Sequence, residues 1–109
     1  MKYFHDEIIN RWHKFSIFEQ MANIGAEVGR AIKWKKQGKK DIFLNAFYRA
    51  LELIDLTVAD KKNKDRLKEI LRLRETLADF LVGENIYNQT EEQIEKYFYY
   101  YNLAARKDR

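Results

Sequence analysis

Apolar residues recur along the chain at the three- and four-residue spacing of helices that bury one face. In the first stretch Phe4, Ile8, Ile9, Trp12 and Phe15 share a side, which predicts a short helix over 4–15 closing one flank of a core. Ser16-Ile17-Phe18-Glu19 then has the form of a capping box, in which the serine hydroxyl accepts from the Glu19 amide and the glutamate accepts from the Ser16 amide. It predicts a helix from Ile17 to about Gln37, with Ile17, Met21, Ile24, Val28, Ala31 and Ile32 as its stripe. The adjacent face is small: Ala22, Gly25, Ala26 and Gly29. Glycine inside a helix costs about 1 kcal/mol relative to alanine. Two glycines four apart therefore predict the close approach of another backbone. Gly38 is placed to end the helix in the left-handed conformation.

Asp41 is the expected N-cap of the next helix, which runs to about Ala59. Its stripe is Phe43, Leu44, Phe47, Ala50, Leu51, Ile54 and Val58, widened by Ala46, Leu53 and Leu56, so it should be the most buried helix. The polar run 60–65 reads as a break. A fourth helix follows from about Lys62 or Arg66 to Val82, burying Leu67, Ile70, Leu71, Leu77, Ala78 and Leu81, with Leu73 and Phe80 on a neighbouring face. Gly83 marks its end. After a short loop, Thr90-Glu91-Glu92-Gln93 is a second capping box, and the last helix runs from Glu91 to about Arg106. Short loops make sequence neighbours antiparallel neighbours in space. The expected fold is all-α: one domain over 1–109, an up-down bundle of four main helices plus a short N-terminal helix.

Composition narrows the function classes. The chain has 109 residues, 46% of them hydrophobic, with no proline, no cysteine and four glycines. The missing turn residues argue against an all-β fold, and the missing cysteines exclude a disulfide framework, thiolate metal sites and a cysteine nucleophile. A net charge of +4 permits nucleic acid as a partner without pointing to it. No apolar run reaches the roughly 18–20 residues of a membrane span, and Asp6 and Glu7 stand where a signal peptide would be apolar. No membrane partner and a cytoplasmic location are expected.

Candidate chemistry is sparse. His5 and His13 lie two helical turns apart, too far to chelate one ion directly, and read as surface histidines. Glu52 with Asp55, and Glu75 with Asp79, each share a helix face, a pattern that in facing helices can hold Mg²⁺. The preferred reading is ion pairing with Arg49, Arg72 and Arg74; the metal reading of these four acids is the alternative. The one serine, Ser16, is a helix cap, and no glycine-rich phosphate loop is present. No catalytic residue and no cofactor are expected.

Lys33, Lys35, Lys36, Lys39 and Lys40 surround the Gly38 turn, and Lys61, Lys62, Lys64, Arg66 and Lys68 the next one. In an up-down bundle these turns lie at opposite ends. Each reads first as a solvated turn, with phosphate or RNA contact as the alternative at the first cluster, where Trp34 offers a ring for stacking. The run 97–101 is aromatic throughout. Successive helical residues step by about 100°, so Tyr97, Phe98 and Tyr101 suit the core and Tyr99 and Tyr100 are left outside. The chain has seven Phe, seven Tyr and two Trp. That is more aromatic surface than a small core holds, so some of Trp12, Trp34, Tyr87, Tyr99 and Tyr100 should remain exposed. Exposed aromatic patches mark interfaces, and the commonest closed solution is a two-fold dimer. A homodimer is expected through Tyr87, Tyr99 and Tyr100, or alternatively through the face of Gly25 and Gly29; a different protein partner would use the same surfaces.

The segments 47–55 (FYRALELID) and 66–75 (RLKEILRLRE) resemble parts of small prokaryotic helical proteins of uncharacterised function. More loosely, size and layout are similar to the HEPN superfamily, whose helical bundles act as RNases in toxin–antitoxin pairs or as partners of small nucleotidyltransferases. The arginine followed four to six residues later by histidine that those RNases carry is missing: no Arg precedes His5, and Arg11 precedes His13 by two. The resemblance therefore implies a non-catalytic binding role, with RNA or nucleotide binding in such a pair as the alternative to a protein-interaction module.

Overall fold

The computed structural model describes residues 6–107, with side chains from residue 9 onward. It is a helical bundle: α1 (Asp6–Lys14), α2 (Ile17–Lys36), α3 (Lys40–Ala59), α4 (Leu67–Val82) and α5 (Glu91–Lys107), with no strand among the described residues. Phe4, His5 and the side chain of Ile8, placed above on the first helix, lie outside what is described.

Both capping boxes form. The Ser16 amide donates to Glu19 Oε1 and the Glu19 amide to Ser16 Oγ, each at 3.1 Å. The Thr90 amide donates to Gln93 Oε1 at 2.9 Å, and the Gln93 amide to Thr90 Oγ1 at 3.1 Å. Gly38 has the expected left-handed backbone, φ 72°. After this turn α3 starts at Lys40, two residues earlier than an N-cap at Asp41 implies. Lys39 is the N-cap, without a side-chain bond, and Asp41 lies in the first turn, not at the cap. There its charge still matches the helix dipole.

α2 packs against both α3 and α5, while α4 lies on α3. The helices alternate in direction. Lys35, near the end of α2, donates to the Leu81 carbonyl near the end of α4 at 2.6 Å, and Arg66, just before α4, lies over Phe18 near the start of α2. α4 and α5 come closest through side chains, leaving a groove between them. Met21, Ile24, Ile54, Ile70 and Leu77 are fully buried, each contributing about 1.5–3 kcal/mol by leaving water. α3 is the most buried helix, as its wide stripe predicts.

Three further expectations need correction. On α4 the buried row is Ile70, Leu73, Leu77 and Leu81, while Leu67 and Leu71 are exposed. α4 packs mainly on α3, so a narrow stripe suffices and the apolar residues beside it stay in water. The polar run after α3 is not a plain break: Lys61–Arg66 is a 3-10 helix with Asn63 buried. Trp12, counted among the aromatics that could stay exposed, is 6% exposed. Its indole Nε1 donates to Thr57 Oγ1 at 3.0 Å, which gives the polar edge of the ring a partner inside the core.

Candidate functional site

The Thr90 box fixes the start of α5, and with it which tyrosines face out. Ile94, Phe98, Tyr101 and Ala105 turn inward. Tyr99 and Tyr100 are 57% and 59% exposed, with Leu103 exposed beside them. Spacings of three and four place the three side chains on one ridge. Tyr99 also borders a groove of about 270 Å³ between α5 and α2, whose α2 wall includes Gly25, Ala26 and Gly29. Tyr99 of the aromatic ridge and the small-residue face, expected as alternative surfaces, thus line one groove. The glycines predicted the close approach of another backbone; what comes close, at Gly25, is a side chain of the same chain, since an added Cβ would stand 2.8 Å from the Phe98 ring. At Gly29 it would meet nothing within 4 Å.

Tyr87 lies apart from this ridge. It is 49% exposed and lines a different groove with Lys68, Leu71, Arg72 and Glu75 on the outer face of α4. Asp79 ties its loop down: the carboxylate accepts from the amides of Ile86 at 2.9 Å and Tyr87 at 3.0 Å. Asn85 and Asn88 supply the left-handed corners, φ 55° and 53°, which asparagine tolerates better than most residues.

The helix-face acids are put to separate uses. Asp55 accepts from Arg74 at both ends of the guanidinium fork, Nε at 2.8 Å and Nη2 at 3.3 Å, joining α3 to α4. Asp79 holds the Tyr87 loop, Glu75 faces the Tyr87 groove, and Glu52 is half-buried on α3. Among the described residues, no three His, Asp or Glu side chains are grouped so that they could hold a metal ion.

Lys33, Lys35, Lys36, Lys39 and Lys40 are all exposed around Gly38. Trp34 is half-buried, and Lys33 and Lys39 carry their ammonium groups 4.9 and 6.0 Å from its ring centroid. Besides the bond to Leu81, Lys35 lies over Phe43. Lys36 pairs with Glu91 at 3.2 Å, joining α2 to the start of α5. Lys62 belongs to the far end, where it donates to the His13 carbonyl at 2.8 Å and pairs with Asp60. The 20 residues of α3 separate the two clusters, about 30 Å at 1.5 Å per residue.

Two polar clusters went unread in the sequence. The first is buried. Gln20 donates to the Trp12 carbonyl and to Asp60 Oδ2, each at 2.9 Å, and accepts from Asn63 Nδ2 at 2.8 Å. Thr57 accepts from Trp12 and donates to the Leu53 carbonyl at 2.8 Å. Among the described residues no buried side-chain polar atom lacks a partner. Burial alone would raise the Asp60 pKa; the hydrogen bonds from the Lys62 side chain, Gln20 and the Lys62 amide outweigh it and hold the carboxyl below its ordinary value. The signal in the sequence was Gln20 itself, a polar residue on the Ile17–Ile24 stripe.

The second cluster bridges α4 and α5. Glu69 Oε2 accepts from the Tyr97 hydroxyl at 2.6 Å and the Tyr101 hydroxyl at 2.5 Å. Arg66 Nη1 lies 3.6 Å from the other Glu69 oxygen. Burial, and next the bond to the Glu69 carboxylate, raise both phenol pKa values.

Among the described residues no helix is long and apolar enough to cross a membrane. Comparison of the chain with protein-family models, curated proteins and solved structures finds no match.

Proposed function

We propose that this chain is a non-enzymatic interaction module that self-associates through the outer ridge of α5 and the adjoining face of α2. The observation that carries the reading is the placement of Tyr99, Tyr100 and Leu103 on one exposed ridge beside the open wall at Gly29. Tyrosines are enriched at interface cores, and a small-residue wall accepts a side chain or helix from a partner. A two-fold arrangement lets each copy place its tyrosine ridge against the other's groove. The hydroxyls of Ser16, Thr57 and Thr90 serve as caps or core bonds, which favours a binding role over nucleophilic chemistry. Sedimentation at tens of micromolar tests the proposal. Wild type should run as a dimer, and Tyr99→Glu with Tyr100→Glu should run as a folded monomer. A monomeric wild type refutes self-association; a dimer that survives the double substitution refutes the surface.

The exposed lysines around Gly38, with Trp34 among them, favour a second reading: RNA or nucleotide binding, as in a HEPN-like toxin–antitoxin pair. Binding through those lysines would weaken steeply with salt, whereas association through the tyrosine ridge would change little.

A further inference from the structure

The groove between α4 and α5 has a volume of about 300 Å³ and is lined by those two helices and the loop that joins them. α2 packs on α3 and α5, and α4 packs on α3, so α4 and α5 meet mainly through side chains and the space between them stays open. Its apolar side is Leu73 of α4 with Ile94 and Tyr97 of α5. Leu73 and Ile94 are buried and Tyr97 is half-buried. Its polar side is rich in donors. Arg72 and Thr76 stand about one turn apart on α4. Among the described residues the Arg72 guanidinium pairs with no acid and the half-buried Thr76 hydroxyl has no hydrogen bond. Gln93 gives its side-chain oxygen to the Thr90 amide, which leaves its N–H donors. The acid in the groove, Glu69, is already matched. Its Oε2 accepts from the Tyr97 and Tyr101 hydroxyls, and its Oε1 faces Arg66 at 3.6 Å.

We propose that this groove binds a small aromatic monocarboxylate. A carboxylate matches the guanidinium fork with two parallel hydrogen bonds, and it brings the acceptors that Arg72 and Thr76 lack. A ligand ammonium would meet the Arg72 charge and an acid whose two oxygens both face donors already. The apolar body of the ligand leaves water between Leu73, Ile94 and the Tyr97 ring. An aromatic body gains more there than an aliphatic one of equal area, because ring pairs attract beyond the area they bury. The volume lies at the lower end of the roughly 300–1,000 Å³ usual for small-ligand sites, which suits a compact ligand rather than a peptide. The site uses the positions of α5 that face α4 and not the ridge of Tyr99, so it stands whether or not the chain self-associates.

Titration of the full chain with naphthoate, followed by NMR, tests the proposal against two controls with the same rings, naphthylmethylamine and naphthalenemethanol. Naphthoate should move the Thr76 amide and Ile94 methyl resonances at millimolar concentration. The amine should bind about tenfold more weakly or less, because it places its charge opposite Arg72. Arg72→Gln should weaken naphthoate by about tenfold, the loss of a charge-assisted hydrogen bond, and leave the alcohol unchanged; a purely structural role would weaken both. Thr76→Val, which keeps the shape and removes the hydroxyl, should weaken naphthoate by about threefold. These are two separate variants, each checked for helicity, so the test holds if one fails to fold. Arg72 also borders the Tyr87 groove, with Lys68 beside it, and Lys68→Gln should leave naphthoate binding as it is. Unmoved Thr76 and Ile94 resonances at millimolar naphthoate overturn the proposal. So do shifts confined to Leu71 and Tyr87, which would place the ligand in the other groove. Amine or alcohol binding as tight as naphthoate overturns the carboxylate class, as does naphthoate binding that both substitutions leave intact.

Discussion

Gln20 donates its side-chain amide to the Asp60 carboxylate at 2.9 Å, forty residues along the chain. Neither side chain is accessible enough for water to replace the other, since Gln20 is fully buried and Asp60 is 7% exposed. Gln20→Leu would leave Asp60, Asn63 and the Trp12 carbonyl each without one bond. Unpaired buried groups cost about 1–3 kcal/mol apiece, and relaxation returns part of that. The expected loss of unfolding free energy is about 2–4 kcal/mol in urea. Asn23→Ala, in which an exposed side chain loses its bond to the Glu19 carbonyl, should change stability by less than about 0.5 kcal/mol.

Asp60 also sets an acid limit. Its folded pKa lies below the ordinary carboxylate value, so the folded state favours the charged form. Its contribution is complete above the unfolded pKa of about 3.9 and disappears as pH falls through the lower folded value. Urea midpoints measured between pH 7 and pH 3 should be level at first and then drop at the acid end. Asp60→Asn should start lower and show a shallower drop. An equal drop in both proteins would assign the acid sensitivity to other carboxylates.

Gly25 and Gly29 should respond oppositely to alanine. Both lie inside α2, where the substitution by itself gains up to about 1 kcal/mol. At Gly29 the new methyl group meets nothing within 4 Å, so thermal unfolding of monomer at low concentration should shift upward. At Gly25 the methyl would stand 2.8 Å from the Phe98 ring and 2.9 Å from its Cβ. A clash with the root of the side chain moves helices apart, and overpacking of this kind costs about 1–3 kcal/mol. Gly25→Ala should therefore melt lower than wild type despite the better helix propensity.

Burial, and after it Glu69, keeps two phenols protonated. Burial and the carboxylate together raise the pKa values of Tyr97 and Tyr101. A phenol whose folded pKa is raised contributes stability below its unfolded pKa of about 10, and this is lost as pH rises above it. Spectrophotometric titration of the folded protein should show two phenols that ionise only at strongly alkaline pH or on unfolding. Glu69→Gln keeps an acceptor but removes the charge, and should bring both ionisations to lower pH. Unchanged titration in that variant would leave burial as the whole cause.

The sequence by itself determined the five helices and most of their ends, because those are set by neighbours. Ser16 with Glu19, Thr90 with Gln93, and Gly38 each act within one turn of chain, so these ends were legible without any knowledge of packing, whereas the start of α3 at Lys40 and the 3-10 turn Lys61–Arg66 were not. The 100° step also told Tyr99 and Tyr100 apart from Phe98 and Tyr101. Only the tertiary structure decided what each exposed or polar residue meets. It put Phe98 against Gly25, placed Leu73 inside and Leu71 outside, and sent Trp12 inward to Thr57. It drew Gln20, Asp60 and Asn63 into one buried cluster and brought Arg72, Thr76 and Tyr97 to one groove. Such groupings depend on how helices pack across tens of residues, and no local spacing encodes the partner of a side chain that lies on another helix.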